Sequence, residues 1–136
     1  MEVNFTTLKN GLRVVTAERP QTETVSLGIW VNTGSACETQ DRNGISHFVE
    51  HMVFKGTKKR NSLQISEDIE NVGGQTNAYT SREFTAFYAK MLKNDLELAT
   101  DVLADLVMAP TFDAAEMAKE KEVVVQEIKQ TNDDPS

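Results

Sequence analysis

Residues 43–56 read Asn43-Gly44-Ile45-Ser46-His47-Phe48-Val49-Glu50-His51-Met52-Val53-Phe54-Lys55-Gly56, and the period of this stretch decides how the chain is built. Ile45, Phe48, Val49, Met52 and Val53 recur at spacings of three and four, which predicts a helix over 43–54. Asp41 or Asn43 can cap its start, and Gly56 ends it. Upstream the period is two. Val3–Leu8 and Leu12–Ala17 flank Lys9-Asn10-Gly11, the signature of a hairpin, and Pro20 closes its second strand. Val25, Leu27, Ile29 and Val31 alternate with Ser26, Gly28 and Trp30 as a third strand, followed by a turn at Thr33-Gly34-Ser35. Downstream the chain mixes both periods. A helix is expected from Ser62 as N-cap to Val72, stopped by Gly73-Gly74, then strands at Asn77–Ser81 and Phe84–Leu92. A helix from Asn94 turns Leu96, Ala99, Val102, Leu103 and Leu106 inward, and Pro110 breaks it. The last helix runs from Asp113, with Glu116 completing a capping box, to about Lys129, and Asn132-Asp133-Asp134-Pro135 is a terminal stop or the beginning of a linker. Strands and helices in this irregular order predict an α+β fold, a mixed and largely antiparallel sheet packed with helices.

Composition excludes several kinds of protein. A chain of 136 residues with 39% hydrophobic and 26% charged residues has enough apolar content for one folded core rather than a disordered chain. No apolar run approaches the ~18 residues of a membrane span, and no secretory signal is visible after Met1. The net charge of −7 excludes a phosphate-binding surface, since the sole basic cluster, Lys55, Lys58, Lys59 and Arg60, reads as a solvated loop. Cys37 is the single cysteine, so no internal disulfide forms and no oxidising compartment is called for.

The chemistry lies in His47, Glu50 and His51. Residues four apart share a helical face, so both imidazoles can reach one ion. Zinc suits neutral imidazoles, and a neighbouring carboxylate that leaves the metal free can take a proton from water. With two histidines in the chain, their placement four apart with this glutamate between them has odds on the order of one in a thousand. A catalytic zinc site needs a third protein ligand. No further histidine exists, and the last helix offers Glu116, Glu120 and Glu127 along one stripe. Spacing alone does not choose among them; Met117, Val124 and Ile128 form the face expected to pack inward.

The segment Gly44–Thr57 resembles the inverted zinc motif of the pitrilysin/insulinase metallopeptidases, and within them the processing peptidases. The likeness continues outward. Leu8–Val14 resembles the family's opening hairpin, Gly34-Ser35 with Glu38 its strand-to-loop turn, and Gly73-Gly74 through Asn77-Ala78-Tyr79-Thr80-Ser81-Arg82-Glu83 its substrate-binding edge strand. The resemblance implies Glu127 as third zinc ligand, in the setting Val123-Val124-Val125-Gln126-Glu127, and Glu120 as the second acidic residue that orients a ligand. It implies one Zn²⁺ per chain, Glu50 as catalytic base, and an extended peptide paired with Asn77, Ala78, Tyr79 and Thr80.

Members of this family consist of two homologous halves, each of two domains. The resemblance therefore implies that residues 1–136 are the N-terminal portion of the first, zinc-binding domain. The facing half is expected from a longer chain or a partner subunit, and the present residues are expected to turn over slowly and to self-associate. A zinc endopeptidase is the implied function, in the bacterial cytoplasm or, for a processing peptidase, the mitochondrial matrix. The alternative is a peptide-binding or structural homologue without catalysis; such members lose parts of the zinc motif, and this sequence keeps all of it.

Overall fold

A computed structural model describes residues 2–133, and the side chains within that range except those of 128 and 130–133. Strands β1 (Glu2–Thr7) and β2 (Arg13–Glu18) form the expected hairpin, with Phe5 opposite Val15 and Thr7 opposite Arg13. Gly11 makes the turn at φ 91°, and the Asn10 side chain accepts from the Leu12 amide at 3.0 Å. The hairpin forms its own two-stranded sheet, and every residue of both strands is exposed.

The second sheet carries the core. Strands β3 (Thr24–Val31), β4 (Gln75–Thr80) and β5 (Thr85–Leu92) lie in the order β3-β5-β4, all antiparallel. The central strand β5 buries Phe87, Ala89 and Met91 on alternate positions, as a half-buried strand must. Helices α1 (Ile45–Met52), α2 (Ser62–Glu70), α3 (Leu96–Met108) and α4 (Ala114–Asp133) complete the chain. Ile65 and Ile69 of α2 meet Val102, Leu103 and Leu106 of α3 against β5 in one apolar cluster. The fold is the expected α+β arrangement.

Several helix ends differ from the sequence-based expectation, each for a local reason. Helix α1 starts at Ile45 because Gly44 adopts φ 90°, outside the helical region; neither Asp41 nor Asn43 caps it. The cap comes from Glu38, whose carboxylate accepts from the amides of Gly44 at 2.9 Å and Ser46 at 2.7 Å. Helix α2 is capped by Asn61 rather than Ser62, in a reciprocal box in which Asn61 and Gln64 each accept from the other's amide at 2.8 Å. At α4 half the anticipated box forms: Asp113 accepts from the Glu116 amide at 3.1 Å. That helix continues past the expected end at Lys129 through Asn132 to Asp133, and the rest of the expected stop, Asp134-Pro135, lies outside the described residues. Of its expected inward face, Val124 is buried, Met117 is exposed, and the Ile128 side chain lies outside the described set. Leu96, at the start of α3, is exposed rather than inward.

The basic cluster is not simply a solvated loop. Arg60 is largely buried and bonds three carboxylates, Asp68 at 2.8 Å, Asp101 at 2.6 Å and Asp105 at 2.9 Å. Asp105 also accepts from the Thr57 hydroxyl at 2.6 Å, so the turn after α1 is fastened to α2 and α3. These bonds raise the Arg60 pKa, with the hydrogen bond to Asp101 contributing most.

Leu103→Ala should destabilise the fold by about 2–5 kcal/mol, because it opens a cavity in a fully buried cluster. Phe5→Ala, on the exposed hairpin, should cost less than about 0.5 kcal/mol. Urea unfolding of the two variants checks the order; equal losses would mean that the hairpin shares the core.

Candidate metal centre

Helices α1 and α4 bring three donor atoms together. His47 Nε2 and His51 Nε2 are 3.1 Å apart, and Glu127 Oε2 is 3.2 Å from the first and 3.3 Å from the second. These residues are the single cluster of metal-ligating side chains among those described. A tetrahedral zinc ion with bonds of 2.0–2.1 Å separates its donors by roughly 3.3 Å, so the triangle is the right size. Its chemistry fits too. Two ring nitrogens and a carboxylate oxygen crowd their lone pairs toward one point, which is unfavourable unless a cation or a proton occupies it. The donor set, two imidazoles and one carboxylate, suits zinc.

A second carboxylate sets the ring chemistry. Glu120 is buried and its Oε2 lies 3.1 Å from His51 Nδ1, while its Oε1 accepts from Lys55 Nζ at 2.8 Å. Burial pushes the Glu120 carboxyl up, but the hydrogen bonds from Lys55 and His51 pull harder, and the net shift is downward. An ionised Glu120 can only accept. A neutral His51 ring meets that acceptor by carrying its proton on Nδ1, which turns the Nε2 lone pair to the donor triangle. Lys55 thus belongs to the site's electrostatics, a role its place in a run of basic residues hides.

Glu50 stands on the same helix but outside the donor triangle; its carboxylate accepts a hydrogen bond from the Thr80 hydroxyl. Thr80 is the last residue of β4, so the base candidate touches the candidate substrate strand. Asn77, Ala78, Tyr79 and Thr80 all lie on β4, which pairs with β5 and forms an edge of its sheet. At that edge the Ala78 amide donates to the Asn77 side chain at 2.8 Å. Tyr79 packs edge-to-face on Phe84 and Tyr88. Glu116, the third member of the acidic stripe, sits 3.7 Å from Lys119 on its own helix and contributes nothing to the cluster. Sequence reasoning missed Lys55 and the capping role of Glu38; for Glu38 the signal available was its acidity a few residues before a helix with a glycine at its N-cap position.

A short helix with the inverted His-x-x-Glu-His order, met by a carboxylate from a long helix near the end of the chain, is the architecture of a metallopeptidase. The chain belongs to the insulinase family, peptidase family M16, whose family model matches residues 13–136. It is 48% identical to the uncharacterized zinc protease YmxG of Bacillus subtilis over 129 residues, 95% of this chain and 32% of that protein. It is 44% identical to the mitochondrial-processing peptidase subunit beta of Rattus norvegicus, over 95% of this chain and 26% of the relative. The crystal structure of a protease from Helicobacter pylori superposes with a TM-score of 0.88 at 28% identity, over 93% of this chain and 30% of that one. The chain thus spans between a quarter and a third of the length of these relatives.

With Glu120 Oε2 3.1 Å from His51 Nδ1, Glu120→Ala should weaken zinc binding by about 10–100-fold while the metal-free fold persists. Competition with a chromophoric chelator measures it. Zinc affinity equal to that of the unaltered chain would remove Glu120 from the site.

Proposed function

We propose that this chain is the metal-bearing portion of a zinc endopeptidase, residues 1–136 being the N-terminal part of its first peptidase domain. The observation that carries the proposal is the triangle of donor atoms from His47, His51 and Glu127, with Glu50 beside it and free of it. In this reading those three residues hold one zinc ion. Zinc, when bound, supplies a Lewis acid and lowers the pKa of a bound water to about 7.

The chain's own residues supply the rest. Glu50 takes the proton from the attacking water and returns it to the leaving amine, the work of a general base turned general acid. The Thr80 hydroxyl holds the Glu50 carboxylate by a hydrogen bond, so that it faces the reaction rather than solvent. Glu120 keeps the His51 ring oriented. An extended peptide adds to the edge of β4, pairing with the backbone of Asn77–Thr80 and taking over the Ala78 amide from the Asn77 side chain. Main-chain pairing demands an extended substrate and little sequence, which suits a peptidase acting on unfolded segments.

The partners in this reading are a peptide and a facing body, from a longer chain or a second subunit. The relatives named as processing peptidase β-subunits support the second arrangement. No helix among the described residues is long and apolar enough to cross a membrane. The exposed hairpin leaves Phe5, Leu12 and Val15 open to water, an apolar surface of the kind that recruits partners. Light scattering of the 136-residue chain should therefore show dimers or larger species that grow with concentration. A monodisperse monomer would count against self-association.

Two substitutions test the chemistry. His51→Ala should abolish or strongly weaken binding of the single zinc ion, read by metal analysis after gel filtration. Unchanged stoichiometry would remove His51 from the ligand set. Glu50→Gln, in the protein with its facing half, should abolish peptide hydrolysis while zinc remains bound. Cleavage at the unaltered rate would place the base elsewhere.

A further inference from the structure

Helix α1 spans eight residues, and a helix this short cannot sustain its first turn by propagation alone. His47 sits in that first turn. Its N-cap residue, Gly44, has no side chain to offer the open amides, and the carboxylate of Glu38 bonds two of them, Gly44 at 2.9 Å and Ser46 at 2.7 Å. Ser46 is the residue directly before His47. Glu38 is itself anchored. The Ser35 amide donates to the Ser81 carbonyl at 3.1 Å, the Ala36 amide to the Arg82 carbonyl at 2.8 Å, and the Glu38 amide to the Ser35 carbonyl at 3.2 Å. Gly34 lies so close to Ser81 and Arg82 that any Cβ there would meet their backbone at 2.4–2.6 Å. The loop is therefore pinned to the residues that follow β4.

From this geometry we propose that Glu38 is a positioning residue for His47: its carboxylate holds the first turn of α1 closed and thereby presents one donor of the metal centre. The proposal rests on the metal-centre reading above. The two histidines are held by different means. His51 is braced through its ring by Glu120, near the C-terminal end of the helix. His47 is braced through its backbone, by a residue nine positions upstream whose loop is fixed to the end of the candidate substrate strand. The Glu38 carboxyl agrees with this role: burial raises its pKa, yet the amide donors of Ser46 and Gly44 bring it below the ordinary value, so it is an anion where the helix wants one. Losing Glu38 should open the first turn and release His47 while leaving His51 in place.

The chain contains two histidines, so its imidazole Cε1–H region in NMR holds two resonances, assigned with His47→Ala and His51→Ala. In the metal-free chain, Glu38→Ala should move the His47 resonance to its position in the urea-denatured chain; the His51 resonance, whose ring touches that of His47 at 4.8 Å between centroids, shifts but stays short of its own denatured position. Zinc affinity should fall about tenfold, and Glu38→Gln, which keeps one acceptor oxygen, should lose less. A His47 resonance that stays put, or both resonances reaching their denatured positions, overturns the proposal: the first means no positioning, the second a general loosening. If Glu38→Ala does not fold, Glu38→Gln is judged by the same resonances. Should His47→Ala bind zinc as the unaltered chain does, the metal-centre reading fails, and the NMR comparison still decides what Glu38 holds.

Discussion

An eight-residue helix has to present two imidazoles to one point, and it is too short to do so unaided. Nucleation costs more than eight residues of propagation return, so the geometry of α1 is imposed from outside. Each end and one face have an external hold. Glu38 takes the N-terminal amides, the Lys55–Glu120 pair fastens the C-terminal end to α4, and Thr80 ties Glu50 to β4. Met52 and Val53 sink into the core beneath, and Arg60 with its three carboxylates secures the turn that follows. The helix is thus held by apolar burial beneath and by polar groups at its ends, and the polar supports also shape the charge of the site.

Electrostatics follows from the same contacts. Seven residues rise about 10.5 Å along a helix, yet Glu120 and Glu127 both reach the His51 ring, one at each nitrogen. Two long side chains lean toward one another with an imidazole between them. Two carboxylates so close would repel, and Lys55 offsets that by pairing with the buried one at 2.8 Å. Glu127 remains the more open, its side chain 44% exposed, and faces both histidines. Glu120 is buried and meets the Nδ1 side of the ring, whereas Glu127 lies within 3.3 Å of both Nε2 atoms. Burial and the lysine thus give two chemically identical residues different surroundings.

Much of this was legible in the sequence. The hairpin, the alternation of β3, the strand at β5 and the helical period of α1 are local patterns, and each element forms, α1 starting two residues later than its period placed it. The pairing of His47 with His51 is equally local, since four residues close one helical turn. Helix ends were less legible. Gly44 at φ 90° and the capture of α1 by Glu38 involve a residue six positions back through a loop, and no propensity describes that. The choice among Glu116, Glu120 and Glu127 was not legible from spacing either, because it depends on how α4 crosses α1, a contact between residues some 70 positions apart. Resemblance to a family singled out Glu127 and Glu120, and the geometry gives each a distinct place at the ring.

The position of β4 explains why the site has a direction. As an edge strand it offers backbone to an incoming chain on one side only, and its last residue touches Glu50. A chain added in register with β4 would therefore run past Glu50 at a fixed distance from the strand, whatever its side chains. Edge strands are usually guarded against such pairing, by charge, by proline or by a covering loop. Residues 75–80, Gln75-Thr76-Asn77-Ala78-Tyr79-Thr80, carry no charge and no proline. A guard among the described residues is the Asn77 side chain on the Ala78 amide, a neutral hydrogen bond that another carbonyl can replace at little cost. An edge so lightly closed ends at a carboxylate held beside a metal-sized triangle of donors, so strand pairing and the polar site meet at one residue, Thr80.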